Sequence, residues 1–528
     1  MLGLELVVIL GVAILLCSGL APRLHIAPPV LLLISGVLLG FVPALRSVSL
    51  PPDVVLFLFL PALLFWESLT TSMREIRANL RGIILTSTVL VALSAGAVAV
   101  IAHQLGMAWG PAWVLGAALA PTDATAVASL TRNLPRRNVT VLRAESLIND
   151  GTALVIYGIS VSATVSGEEV TPLHITWLVL LAYGGGITIG AVAAWAVLRL
   201  RTRMDNPTQE TVLTILTPFL VYLAAEAIEA SGVLAVVTAG LALSQATPRR
   251  RRAATRTQST GFWNLSTFLL NAALFVLVGL ELQTATRALA GNRILGGLVL
   301  VAVISVALIV VRIAFLFAAA YTIRLVDRRP QQRLRRVSNR VRIVSGLAGF
   351  RGAVSLAAAL GVPLFLASGE PFPNRDIIVF VTTGVIVVTL IVQGLLLPVV
   401  VRWAALTQDP GIAKERLLAE KTATREALES LAGVAAELGT DSAVTARLRS
   451  EYEEHLRILQ AGENSTEDDD DLRRDQQYTA LRLEILERKR ATMVRLRNQG
   501  IIDDTVLRLL QNKLDAEEMR LAPDDFTE

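Results

Sequence analysis

Ala120-Pro121-Thr122-Asp123-Ala124-Thr125-Ala126-Val127 stands in the middle of an apolar run that extends from about residue 111 to 131. Pro121 removes one backbone donor and turns Ala120 away from helical dihedrals. Three polar side chains, Thr122, Asp123 and Thr125, crowd the break. Taken alone, the stretch fits two readings. It is a proline-kinked helix with Asp123 as a cap, or it is an unwound segment. Unwound backbone at membrane depth is tolerated only where it lines a cavity or is buried in protein. The surroundings have to decide.

They are strongly apolar. The residues AVILMFWYC make up 53% of the 528-residue chain and charged residues only 18%, against about 25% charged in soluble domains. This composition belongs to a polytopic membrane protein, and it excludes a soluble enzyme, a secreted disulfide scaffold and a mostly disordered chain. Cys17 is the single cysteine, so neither an intrachain disulfide nor a cysteine-based zinc site can form. The four histidines, His25, His103, His174 and His455, are scattered. A hydrocarbon core about 30 Å thick takes roughly 20 apolar residues per helix. Thirteen such runs precede residue 406, near 3–21, 27–44, 52–69, 82–105, 111–131, 143–164, 174–200, 209–230, 231–246, 262–283, 293–323, 343–363 and 376–405. The first follows Glu5 with no basic residue before it, and Pro22 would directly follow a cut at Gly19-Leu20-Ala21. It therefore reads as an uncleaved span, with Cys17 as a buried apolar thiol.

Charge then gives sidedness. Residues 1–406 carry 31 Arg, no Lys and 17 acids, whereas residues 407–528 carry 18 bases and 27 acids. With the N-terminus placed outside, the inside loops hold Arg23; Arg74, Arg77, Arg81; Arg132, Arg136, Arg137, Arg143; Arg199, Arg201, Arg203; Arg249 to Arg252 and Arg256; and eight between Arg324 and Arg342. The outside loops hold only Arg46, Arg287, Arg293 and Arg375. The positive-inside rule thus puts the N-terminus outside and the tail in the cytosol. The tail reads as helical over 411–460 and 474–520, with an acidic solvated linker at 463–471 between. The division is a transmembrane domain at 1–406 and a cytosolic helical tail at 407–528.

Ionisable residues at membrane depth are costly and usually have a task. Here they are Glu67, Asp123, Glu145, Asp150, Glu226, Glu229, Glu281, Arg312 and Arg351. In Glu145-Ser146-Leu147-Ile148-Asn149-Asp150-Gly151-Thr152, Glu145 and Asn149 share one helix face, and Ser146 and Asp150 share the adjacent one. A carboxylate and a hydroxyl one turn apart form a small oxygen pocket. Such a pocket suits a hard monovalent cation, and the carboxylate can hold that cation or a proton but not both. The stripe also fits plain polar helix packing. Arg312 and Arg351 need partners if buried; the span-six carboxylates would serve, or each Arg snorkels to a cavity or interface. Glu67, Glu226, Glu229 and Glu281 read as interface, cavity-lining or helix-end residues. Spans five and twelve are both interrupted, the latter at Gly349-Phe350-Arg351-Gly352. Each is fifth in a six-span set, and the two run in opposite directions, the sign of an inverted repeat with its site at the crossing. The expected fold is all-α: about thirteen transmembrane helices, two inverted six-helix repeats with crossed broken helices, and a helical tail.

These residues carry a resemblance. Pro121-Thr122-Asp123, Glu145 to Thr152, Gly349-Phe350-Arg351-Gly352-Ala353, Thr389-Leu390-Ile391-Val392-Gln393-Gly394, Leu60-Pro61-Ala62-Leu63-Leu64-Phe65 and Ser231-Gly232-Val233-Leu234-Ala235 together resemble the prokaryotic branch of the sodium/proton exchanger family, of the monovalent cation:proton antiporter-1 kind. The likeness covers about residues 1–405. It implies that Asp150 is the essential carboxylate for Na⁺ or H⁺. It implies that Ser146 and Thr122 ligate Na⁺, Thr122 through its backbone, and that Asp123 ligates through water. Asn149 resembles the mark of electroneutral one-for-one members. Glu145 and Arg351 match a structural ion pair, and Arg312 resembles a cation that tunes Asp150. Ala124 departs from the family, where many members have Pro, so the unwinding rests on Pro121.

The resemblance further implies a homodimer in a bacterial cell membrane. An elevator-like core at about 82–164 and 293–405 would move against a scaffold at about 3–69 and 174–283. Cytosolic Na⁺, with Li⁺ as a further substrate, would be exchanged for external H⁺, serving pH and sodium homeostasis. Na⁺ and H⁺ are substrates; no cofactor, enzymatic activity or nucleic-acid partner is expected. A K⁺/H⁺ antiporter is the nearest alternative. An intramembrane enzyme or a channel lacks motifs: there is no His-Glu-x-x-His, no Gly-x-Gly-Asp and no filter-like repeat.

Overall fold

The computed structural model describes residues 2–24, 26–43, 54–123, 136–167, 171–204, 206–246, 253–289, 291–326, 338–405, 411–461, 470–499 and 501–521. The chain divides into two units, Met1–Gln408 and Asp409–Glu528. Several readings above fall outside the described residues: the segment from Ala124 to residue 131, the loop holding Arg249 to Arg252, the five arginines between 327 and 337, and most of the acidic linker.

The first unit is built of helices: α1 (Leu2–Leu24), α2 (Pro28–Leu39), α3 (Leu60–Thr70), α4 (Met73–Gln104), α5 (Trp109–Leu119), α6 (Arg136–Ser166), α7 (Leu173–Arg201), α8 (Pro207–Glu226), α9 (Gly232–Ala246), α10 (Ala253–Ala288), α11 (Gly291–Val326), α12 (Asn339–Leu347), α13 (Ala353–Leu360) and α14 (Arg375–Ala404). Their starts follow local chemistry. Ser72 accepts from the Glu75 amide at 3.4 Å, and Ser338 from the Val341 amide at 3.3 Å, each satisfying an orphan donor of a first turn. Asn206 does the same for Thr208, and Pro207 follows it where a missing N–H costs nothing.

Among the described residues, seven of these helices are long and apolar enough to cross a membrane, and three shorter apolar ones lie at Pro28–Leu39, Leu56–Thr70 and Gly232–Ala246. The helices left over are α5, α6, α12 and α13. These carry or border the polar residues that the sequence singled out.

Close helix contacts rest on missing side chains. A Cβ on Gly36 of α2 would lie 2.0 Å from the Val276 carbonyl oxygen of α10, and one on Gly279 would lie 2.3 Å from that of Leu33. The two helices therefore meet backbone to backbone. Both breaks are seen. The chain leaves α5 at Leu119 and runs non-helically through Pro121, Thr122 and Asp123, and α12 and α13 are separated by residues 348–352.

The second unit holds α15 (Gly411–Leu438), α16 (Ser442–Ala461), α17 (Asp470–Asn498) and α18 (Asp504–Leu521). Helices α17 and α18 bury Leu486, Leu507 and Leu514. Arg482 pairs with Glu517 at 2.8 Å, and Arg490 with Glu518.

Candidate functional site

The two breaks meet. The Asp123 amide donates to the Phe350 carbonyl at 2.8 Å. Arg351, 2% exposed, donates from Nη1 to the carbonyls of Ala120 and Pro121, each at 2.6 Å. The last carbonyls of an interrupted helix have no helical donor. A buried guanidinium from the opposite break supplies one. Gly352 has to be glycine, because a Cβ there would lie 2.0 Å from Asp123 Oδ2.

Helix α6 passes the crossing with its polar faces inward. Ser146 Oγ donates to the Thr122 carbonyl at 2.8 Å, and Asn149 Nδ2 donates to Thr122 Oγ1 at 2.7 Å. Both links span more than twenty residues of sequence and fix Thr122 from carbonyl to side chain. Asp150, one turn beyond Ser146, is 5% exposed. Its Oδ1, like Asn149 Oδ1, has no hydrogen-bond partner among the described residues. A buried oxygen of this kind calls for a ligand or a proton.

The Glu145–Arg351 ion pair expected from the resemblance is not the pair that forms. Glu145 Oε1 is met by Arg312 Nη1 at 2.6 Å, with side chains 4% exposed on both sides. Arg312 Nε also donates to the Ser345 carbonyl at 3.1 Å. The reason lies in Gly349: its Cβ would stand 2.8 Å from Arg312 Cδ, so glycine there lets Arg312 pass. Arg351, freed from Glu145, clamps the α5 carbonyls. Arg312 is thus engaged with Glu145 rather than standing as a lone charge beside Asp150.

Asp150, Asp123, Thr122 and Ser146 line one cavity. Glu145 and Asn149 stand behind it. The cavity brings in residues that the sequence reading left without a specific role. Glu67 enters from α3 and Asn271 from α10. Leu60, Leu63, Leu64 and Glu67 all line it at i, i+3, i+4 and i+7 spacing, so the periodicity of α3 could have marked Glu67. Asn271 carries no such signal. Glu226 ends α8, Glu229 sits in the following turn at φ 58°, and Glu281 is buried within α10.

Next to Asp150, α6 faces α7 and α9. Gly151 abuts Leu234, whose Cγ would be 2.9 Å from a Cβ, and Thr152 Oγ1 shares a 2.5 Å hydrogen bond with Tyr183 OH. Tyr183 belongs to a π-helical turn, Leu181–Gly185, within α7. The Ala182 carbonyl of that turn accepts from the Ser231 amide at 3.2 Å.

Known proteins resemble this chain. The transmembrane family of sodium/hydrogen exchangers matches residues 10–403. An uncharacterised Na⁺/H⁺ exchanger of Mycobacterium tuberculosis is 43% identical over 523 residues, 98% of this chain and 96% of its own length. The Na⁺/H⁺ antiporter ApNhaP of Aphanothece halophytica is 32% identical over 403 residues, 76% of this chain and 73% of its own. Among solved structures, the sodium proton antiporter MjNhaP1 of Methanocaldococcus jannaschii superposes with a TM-score of 0.60 at 20% identity, covering 76% of this chain and 98% of that one. That likeness speaks for the fold. With a sequence match spanning nearly all of the membrane unit, the chain belongs to the sodium/hydrogen exchanger family.

Proposed function

We propose that this chain exchanges Na⁺ for H⁺ across a membrane, with the Asp150 carboxylate taking either ion in turn. The observation that carries the reading is the buried Asp150 Oδ1, without a hydrogen-bond partner among the described residues, in the wall of a cavity it shares with Ser146, Thr122 and Asp123. Na⁺ bound there would be held by Asp150, Ser146 and the Thr122 carbonyl, which keeps one lone pair beyond the Ser146 bond. Asp123 acts through water, and Asn149 positions Thr122.

If one Na⁺ replaces one H⁺, the loaded core has the same charge in both forms. The membrane potential then does no work on the cycle. The transport cycle is alternating access, with the helices at 82–164 and 293–405 moving as a core against those at 3–69 and 174–283 in a homodimer. The N-terminus lies outside, and the tail lies in the cytosol of a bacterial cell. A second reading extends the substrates to K⁺: a Bacillus pumilus relative, 32% identical over 375 residues, is named a sodium, potassium, lithium and rubidium/H⁺ antiporter. The test is dye-quench antiport in proteoliposomes, titrated with Na⁺, Li⁺ and K⁺ across pH, with and without an imposed potential. Proton movement that is Na⁺-dependent and unaffected by the potential is expected. A strong dependence on the potential would refute the one-for-one exchange, and absence of cation-dependent proton movement would refute the function.

A further inference from the structure

The cavity has a wall whose chemistry the exchange reading leaves unused. Ser355 lies in the first turn of α13, is 1% exposed, and lines the same cavity as Asp150. Its Oγ has no hydrogen-bond partner among the described residues. A buried hydroxyl normally finds one, and in the first turn of α13 no preceding helical turn offers Ser355 a carbonyl.

Gly352 stands directly before α13 and lines the same cavity. That residue is in contact with the Asp123 carboxylate, close enough that a Cβ would overlap Oδ2. Ser355 follows three residues later in the first turn of α13. Gly352, Ser355, Asp123, Ser146 and Asp150 all line the one cavity.

We propose that Ser355 is a further Na⁺ ligand, contributed by α13 to the site that α6 and the first break build. The proposal rests on the Na⁺-exchange reading of this cavity. A cation entering it loses water, and protein oxygens have to replace that hydration shell. The Thr122 carbonyl already accepts one bond from Ser146, so the oxygen set of the first repeat is partly committed. A serine hydroxyl carries two lone pairs and one proton. One lone pair faces the cation, while the proton points away from the ion toward water. Ion binding then draws the two broken helices onto one ion.

The experiment measures the wild type, Ser355→Ala and Ser355→Thr in two ways: Na⁺ titration of exchange in proteoliposomes, and the shift of thermal unfolding with Na⁺ in detergent. Loss of one charge-assisted contact predicts that Ser355→Ala raises half-saturating Na⁺ about tenfold. Its maximal rate stays within about twofold, and its Na⁺-induced thermal shift moves to correspondingly higher concentration. Ser355→Thr keeps the hydroxyl and stays close to wild type in both. If Ser355→Ala does not fold, Ser355→Cys, nearly the same size but a poor ligand for a hard cation, takes its place with the same expectation. An alanine or cysteine variant with wild-type half-saturation and thermal shift overturns the ligand role while leaving Na⁺ exchange standing. A wild type that shows neither Na⁺-dependent proton movement nor a Na⁺-induced shift overturns both.

Discussion

Arg312 on α11 and Glu145 on α6 form a buried ion pair of 2.6 Å that ties the two helices together. Removing one member of such a pair leaves an uncompensated charge and costs about 3–5 kcal/mol, far more than removing both. Arg312→Ala and Glu145→Ala should each lower the unfolding temperature in detergent markedly, and the double variant by less than the sum. Additive losses in this cycle would contradict direct pairing.

Arg351→Ala should behave differently. It leaves two carbonyls at the end of α5 without a donor, at about 1–3 kcal/mol for each unsatisfied group, but keeps the Arg312–Glu145 pair. Its larger effect should be on transport, because Thr122 follows directly on the clamped residues. Exchange assays alongside melting curves check this, and a variant as active as wild type would show that the clamp does not set the site.

Asp150→Asn should abolish Na⁺-dependent proton movement while keeping the fold, since the amide fills the same space without charge. Gly352→Ala should do nearly as much harm by steric means: its methyl would have to occupy the place of Asp123 Oδ2. Asp150→Asn should melt close to wild type and Gly352→Ala well below it.

Tyr183→Phe removes the 2.5 Å bond to Thr152. If α6 moves against α7 during transport, that bond breaks once per cycle. The variant should change the maximal exchange rate and leave half-saturating Na⁺ unchanged, as measured by Na⁺ titration. A change confined to Na⁺ affinity would refute that role.

In the tail, the hydrogen bond from Arg482 holds the Glu517 carboxyl below its ordinary value of 4.5. A lowered carboxylate pKa contributes stability that is present above the unfolded value and lost as pH falls through the folded one. The α17–α18 hairpin should thus keep constant hydrogen-exchange protection from pH 8 to about 5 and lose it only on stronger acidification. Loss of protection between pH 8 and 6 would overturn this assignment.

How much of this could be read from residues alone differs from place to place. Pro121 and the glycines around Arg351 declared both breaks, because they alter the backbone wherever they stand. Ser146, Asn149 and Asp150 declared their shared faces, because helical spacing is a local property. The partner of Glu145 was not legible. Two single arginines offered themselves, and the choice turned on a missing Cβ at Gly349 that only the packed structure reveals. Asn271 and Ser355 look like ordinary helix residues until the fold brings them to the cavity wall. Glu67 was suspect for its charge, but its place beside Asp150 depends on how α3 is turned.

The Arg351 clamp has a consequence for how the protein is made. Its two acceptors precede it by 231 and 230 residues. During synthesis the first six helices emerge long before Arg351, so the Ala120 and Pro121 carbonyls must wait in the bilayer without their final donor. Bare carbonyls in hydrocarbon are costly, and nascent chains expose such unfinished surfaces to error. A chain stalled or truncated before Arg351 should therefore be held by chaperones or degraded rather than persist as a stable half. The clamp is in that sense a checkpoint on completion of the membrane unit.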